Sequence, residues 1–446
     1  METSYEDSKR YRKISTRISG RSLDECEDVG TIAEERKMPW WGTTLIIMGD
    51  VMGTGVLAMP SAAAKLGWVV SMITLPFFAF CSTYSGNLLA RTKNEFLPAA
   101  GGYADMSNAL VGPRFGTFTR CVIVTNWALL LPYFMVGTGE SLKGLAPDAP
   151  ICGYSWTAIA GLVLVVPIQA TTMRLLSYLS APSSLAVIIT IIMVVAELFT
   201  NEGDEPFGSA GTVGPAPGTT FFQAYGGLTT IVFAYLGQDV FCEIMQEMAE
   251  PKDANKSINL AYSVMTLVYA FTTIVAYGLE GRSVEGFLLD SLPDSPVKRV
   301  ASGLLAFHVI VAYAIVSVPL TNFFYGLCFP NTPIHNGGVP ARLRWALISI
   351  GYLVFSYLIA TLIPAFSAIQ GLIGSLCGSP ILFGFPAAFY ILACRLNKKK
   401  ISTFDKVTCA LFLCVLCPLF FLCGTIDSIM QIGDAVKDAG TPFSIC

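Results

Sequence analysis

Residues 46–60, IIMGDVMGTGVLAMP, place one carboxylate, Asp50, and a Gly-Thr-Gly triplet, Gly53, Thr54 and Gly55, inside an apolar run. In a helix surrounded by lipid both features are costly. An aspartate at the centre costs about 2.5–3.5 kcal/mol on insertion scales, and glycine adds backbone freedom that folding must remove. Gly53 and Gly55 stand two apart, so they do not share a helical face and do not form a helix-packing stripe. The pattern instead predicts an unwound segment between two half-helices, about 41–52 and 56–66. Bare amides and carbonyls at membrane depth persist only where they line a cavity or meet a ligand. The amide end of the second half suits a carboxylate. The carbonyl end of the first suits an ammonium or a cation. A zwitterion of amino-acid size carries both charges.

A second such stretch follows at residues 233–248, FAYLGQDVFCEIMQEM, where Gly237, Gln238 and Asp239 sit mid-span and predict a second break. Asp239 and Glu243 follow it, four apart on one helical face. They read as an inner gate, or as partners for Arg120 or Arg174. Asp50 lies one turn before the first break. It could carry a proton, ligate a cation, meet a substrate ammonium, or hold the half-helices together through hydrogen bonds; an ionisable group at this depth points first to function. His308 stands alone in an apolar helix. A hydrogen-bonded core role is the ordinary reading, and a pKa near neutrality leaves a proton relay open. Ser317 and Thr321, one turn apart, either bond their own helix or face the first span. Glu140 and Glu197 read as a solvated rim.

The elements that must position these residues are helices in a bilayer. The chain has 446 residues, 53% hydrophobic and 13% charged, about half the usual charge of a soluble domain, and its mean hydropathy is +0.60. A span needs about 20 apolar residues. The sequence predicts eleven, near 41–65, 67–90, 121–140, 155–173, 176–198, 221–245, 258–279, 300–328, 344–362, 366–393 and 407–429. The uncharged stretch 345–394 is too long for one span, and Pro364 with Gly371 predicts a turn that splits it. The fold class is an all-α integral membrane protein: a five-plus-five inverted repeat, about 41–198 and 221–393, plus one extra C-terminal helix. The two interrupted spans stand first and sixth, where such a repeat needs them. The transporter-like domain runs over 38–433, between a disordered tail, 1–37, and a short C-terminal tail, 434–446.

Most of the 28 Lys and Arg fall on one side of these spans. That predicts a cytoplasmic N-terminus and an outside or lumenal C-terminus. The sequon at Asn255 then faces the cytoplasm and carries no glycan. No cleavable signal is visible in the polar start. Ser15, Thr16 and Ser19 sit among basic residues, where phosphorylation would cancel charge near an anionic membrane. Most of the 13 cysteines lie in apolar runs and act as small hydrophobes; Cys414 and Cys417 lack the partners of a metal site, and Cys152 could pair with Cys446. A net charge of −3 suggests no nucleic acid. No cofactor, metal cluster or catalytic constellation is expected; two histidines are too few for a plausible membrane enzyme.

Residues 49–68, GDVMGTGVLAMPSAAAKLGW, resemble the first-span signature of the amino acid/auxin permease family, and residues 233–258 its sixth-span signature. The resemblance implies a LeuT-type fold and a secondary transporter moving amino acids with protons or sodium. It implies substrate contacts at Gly53, Thr54, Gly55, Tyr235, Gly237 and Gln238, with Tyr133 and Asn126 of the third span facing the substrate. Many relatives carry His where Gln238 stands, and Gln cannot titrate. Ser317 and Thr321 of the eighth span could ligate sodium in this fold, and spans 1, 2, 6 and 7 would rock against 3, 4, 8 and 9. Asp50 favours a proton over sodium as the coupling ion, with His308 as a second candidate. The rivals are a sodium-coupled transporter and an amino-acid-sensing receptor of the same fold. The expected partners are an amino acid and the bilayer, at the plasma membrane or a vacuolar or lysosomal membrane. Oligomeric state is left open.

Overall fold

The computed structural model describes residues 38–438, apart from 172, 201–206, 331, 333–337 and 364–365, with the side chains at 173–175, 177, 436 and 438 also left out. The tail with Ser15, Thr16 and Ser19, His335, Pro364 and Cys446 lie outside the described residues. Among those described, the regular structure is helical, save one isolated bridge between Met38 and Met248.

The first element is short by necessity. Helix α1, Trp40–Val51, has 12 residues and stops before the Gly-Thr-Gly triplet. Helix α2, Gly55–Phe96, resumes at once and runs for 42 residues. At 1.5 Å per residue that is about 63 Å, twice the thickness of a hydrocarbon core. It bends at Gly67, which has φ +77° and ψ 172°. A Cβ there would lie 2.2 Å from the Gly214 carbonyl oxygen, so only glycine fits. The amides freed by the bend are not lost. Trp68 N and Val69 N donate to Thr212 O and Val213 O, each at 2.9 Å. The bend falls where the sequence divides its first two spans.

Next come α3, Tyr103–Leu110, α4, Pro113–Leu145, α5, Gly153–Leu164, and α6, Met173–Thr200. The second broken element is α7, Phe221–Ala234, and α8, Phe241–Glu247. Then follow α9, Ala254–Glu280, α10, Pro296–Cys328, α11, Gly338–Leu362, α12, Phe366–Leu396, and α13, Thr403–Ala435. Wide π-helical turns at Ile373–Gly378, Pro380–Gly384, Phe412–Leu416 and Phe420–Gly424 relax α12 and α13 around Pro380, Pro386 and Pro418. Among the described residues nine helices are long and apolar enough to cross a membrane.

Three expectations need correction. Gly371 does not make a turn between α11 and α12. It lies inside α12, where a Cβ would stand 3.0 Å from Ser428 Oγ of α13, so it serves helix packing. The fourth span is shorter than 155–173: α5 gives way at Pro167 to one 3₁₀ turn, Pro167–Gln169, because proline cannot donate into an α-helix. The last helix is longer than 407–429, because Thr403–Ala435 stays helical.

The helices form two packed groups. In one, α9 lies on α1 and α2, and α2 lies on α7. In the other, α10 lies on α4 and α6. Helix α13 is fastened to the first group by a buried polar cluster. Arg91 of α2 pairs with Asp405 at 3.2 Å, and Tyr84 and Tyr390 donate to the same carboxylate. Cys152, at the cap of α5, is disulfide-bonded.

Candidate functional site

The two broken helices cross back to back, and their glycines allow it. A Cβ on Gly55 would lie 3.0 Å from Ala234 Cα, and one on Gly237 would lie 2.2 Å from Val51 Cγ2. A Cβ on Gly53 would stand 3.1 Å from His308 Nε2. Each glycine is thus a point of close approach, Gly55 to main chain, Gly237 to a valine methyl and Gly53 to an imidazole.

The orphan carbonyls are answered by helix α9. Tyr269 Oη is 3.2 Å from Val51 O, at the end of α1, and 2.9 Å from Ala234 O, at the end of α7. Tyr262 Oη donates to Tyr235 O at 3.0 Å. It also accepts from Gln238 Nε2 at 3.1 Å, and Gln238 Nε2 is 3.2 Å from Ser82 O. Tyr262 and Tyr269 are two turns apart on one face, so a single helix braces both breaks. The opposite ends are less satisfied. Thr54 caps α2 without a side-chain hydrogen bond, which leaves helix N-terminal amides of the kind that bind anions.

One side of the breaks is sealed by rings. Tyr133 of α4 faces Thr54, stacks on Phe366 at 4.5 Å and meets Phe233 edge-on at 5.1 Å. Phe366 in turn packs on Phe287 of the α9–α10 connection at 5.3 Å. The other side carries acids. Asp50 and Glu243 line a narrow cavity of about 70 Å³ with Ile46, Trp127, Ser180 and Pro319. Between cavity and breaks, Asp239 Oδ2 accepts from Asn126 Nδ2 at 3.0 Å and Trp127 Nε1 at 2.9 Å.

The structure therefore joins residues that the sequence left apart. His308 reaches the first break, with Nδ1 2.8 Å from Ser183 Oγ and Nε2 buried without a partner. Asn126 and Asp239 form one pair. Asp239 is held by Asn126 and Trp127, Arg120 makes no ion pair among the described residues, and the Arg174 side chain lies outside them. The Tyr235 ring lies 5.1 Å from the Tyr269 ring, and its hydroxyl donates to Thr266 Oγ1 at 3.4 Å. Ser317 Oγ donates to its own helix at Ala314 O, 2.8 Å, and Thr321 is buried on the same helix. Sequence reasoning missed Trp127, Ser183, Tyr262, Tyr269 and Gln370. A seven-residue tyrosine spacing on one apolar helix was the available signal for two of them.

Buried polar atoms usually find a partner. Around this site Tyr133 Oη, Asn126 Oδ1, His308 Nε2 and both ends of the Gln370 amide have none. The arrangement offers amides for an anion, carbonyls and acids for a cation, and unfilled hydrogen-bonding positions between them.

Comparisons with known proteins identify the family and the fold. The family described as transmembrane amino acid transporter protein matches residues 36–430. Amino acid permease 1 of Arabidopsis thaliana is 25% identical over 451 residues, covering 91% of each chain. The N amino acid transport system protein of Neurospora crassa is 24% identical, over 82% of this chain and 79% of its own length. The vesicular inhibitory amino acid transporter of Rattus norvegicus is 23% identical, over 80% and 70%. In fold, the chain is similar to MhsT, solved in complex with L-phenylalanine, with a TM-score of 0.58 at 12% identity over 90% of this chain and 99% of that one. A Na+-coupled sialic acid symporter aligns with a TM-score of 0.51 over 90% and 91%. The fold is LeuT-like, and the chain belongs to the transmembrane amino acid transporter family, whose members are transporters and not enzymes.

Proposed function

We propose that the chain is a secondary active transporter that binds a zwitterionic amino acid at the two breaks and couples its movement to a proton. The supporting observation is the crossing of two broken helices beside buried polar atoms that lack partners. The substrate carboxylate meets the amides at the start of α2, around Gly53, Thr54 and Gly55. Its ammonium faces the carbonyl ends of α1 and α7, near Gly237 and Gln238. Tyr133 and Asn126 contribute from α4.

The chain then crosses the bilayer eleven times. The bend at Gly67 divides α2 into two crossings, with α1 completing the first, and α5 with Pro167–Gln169 supplies the fourth. The N-terminus faces the cytoplasm. Movement is a rocking of α1, α2, α7, α8 and α9 against α4, α5, α6, α10 and α11. The ring-sealed side is the outer gate in its closed form, and the narrow acidic cavity is the start of the inner path. Asp239 latches the two groups through Asn126 and Trp127, and Glu243 lines the exit.

Asp50 is the proposed proton carrier, because it lines that cavity on the first group of helices. A sodium-coupled form is the second reading. Ser317 donates its hydroxyl hydrogen to Ala314 O, which leaves its oxygen lone pairs able to ligate a cation. Uptake into proteoliposomes under imposed proton or sodium gradients tests both. Accumulation under a proton gradient alone supports the reading, accumulation under sodium alone replaces it with the second, and accumulation under neither removes the coupling claim. A pure sensor would show no counterflow of labelled amino acid.

A further inference from the structure

Gln370 is fully buried, yet neither its amide nitrogen nor its amide oxygen has a partner. A carboxamide offers two donors and an acceptor with two lone pairs. Leaving such a group unsatisfied costs about 1–3 kcal/mol, so a native protein that keeps one has a reason.

Its place on α12 supplies the reason. Phe366, one turn before it, stacks on Tyr133 of α4. Gly374, one turn after it, packs against α7, where a Cβ would lie 2.8 Å from Thr229 O and 2.9 Å from Phe233 Cβ. Residues spaced by four share a helix face, so Gln370 faces the gap between α4 and α7. Its depth is bounded as well. The Phe366 ring, stacked on Tyr133, lies on one side of it. On the other, a Cβ on Gly378 would stand 3.3 Å from Leu236 Cδ2, at the level of the second break. Gln370 therefore lies between the breaks, where the amino and carboxyl groups would be held, and the aromatic seal. That is where a substrate side chain has to extend.

We infer that Gln370 is a specificity-determining residue, and that the favoured substrates are neutral amino acids whose side chains both donate and accept hydrogen bonds, glutamine and asparagine foremost. This rests on the transport reading above. The rings of Phe366, Tyr133 and Phe233 lie near this face of α12, and Asp50 and Glu243 lie on α1 and α8. A carboxamide carries no net charge with which to hold a cationic or anionic side chain that loses its hydration there. A purely apolar side chain would leave both ends of the amide unpaired, and sites built to hydrogen-bond reject such analogues strongly.

The test compares labelled glutamine with methionine, similar in length and without the amide, in proteoliposomes holding the wild-type chain or Gln370→Met. The wild type should favour glutamine in kcat/KM, and Gln370→Met should reduce the glutamine-to-methionine ratio about 10- to 100-fold. A packing role alone would lower both substrates equally; an unchanged ratio overturns the inference while leaving the transport reading intact. A wild type that moves no amino acid overturns the transport reading and the inference with it. Should Gln370→Met be silent toward both substrates, Gln370→Asn decides, because it keeps an amide. A preference for glutamine that survives in it supports the inference, and a lost preference overturns it.

Discussion

The two sides of the broken helices are built from different chemistry. On one side Tyr133, Phe233, Phe366 and Phe287 close the path with rings. On the other, Asp50 and Glu243 line a narrow opening, and Asp239 ties α8 to α4. Rings 4.5–5.3 Å apart can part and re-form without moving a charge out of water. Carboxylates cannot, because each must keep a hydrogen bond, a cation or a proton. On the proposed reading the difference is a division of labour, in which the aromatic side would gate and the acidic side would sense the ion that drives the cycle.

The largest expected effect breaks the acidic side. Asp50→Asn should abolish proton-driven accumulation, lowering it by at least about 100-fold, while counterflow at equal pH persists. Full accumulation in the variant would show that Asp50 does not carry the proton. Next is the crossing point shared by both sides. Gly55→Ala would press a Cβ against the Ala234 backbone at 3.0 Å, where neither main chain can give way easily. It should cost about 1–3 kcal/mol, read as a lower melting temperature. Gly137→Ala, where the nearest atom is 3.5 Å away, should change little. Equal losses in the two variants would mean that close approach of the breaks does not decide the packing.

A smaller effect sharpens the aromatic side. Phe366→Ala removes the ring that joins Tyr133 to Phe287. It should raise the labelling rate of a cysteine placed at Thr54 from the outer side several-fold, with accumulation falling because the gate leaks. No change in labelling would move the outer gate elsewhere. The smallest effect is a pH dependence in the connection that carries Phe287. Burial, with Glu140 and Glu285 nearby and Lys143 and Lys298 opposing them, pushes the Asp290 carboxyl up from its ordinary 3.8 to about 6. The packed connection thus holds a proton that a released one loses above about pH 4. Packing should weaken as pH rises from about 4 to 6 and level off beyond. Hydrogen exchange of residues 284–292 should quicken over that window, and Asp290→Asn should flatten the change.

Some of this was legible in the residues alone, for a physical reason. Breaks announce themselves because glycine and a charge are costly in lipid, and the helix ends at Val51 and Ala234 fall beside those features. The bend at Gly67 was legible as a boundary between two apolar runs. Gly371 misled because a glycine inside an apolar run marks either a turn or a close contact, and only the neighbour, Ser428, decides. Pairings between helices were not legible. Nothing in one sequence joins Asn126 to Asp239 or His308 to Gly53, since these depend on the relative placement of α4, α8 and α10. Tyr262 and Tyr269 were hidden for another reason: a tyrosine in an apolar helix reads as a membrane-facing ring until its hydroxyl is seen on a broken carbonyl.

The central claim is that the breaks hold both charged ends of one amino acid. The most direct measurement is counterflow of labelled glutamine in proteoliposomes, competed by unlabelled glutamine, its N-acetyl derivative and its α-amide. The account predicts competition by free glutamine alone, because each derivative deprives one break of its charge. Equal competition by either capped form would contradict it.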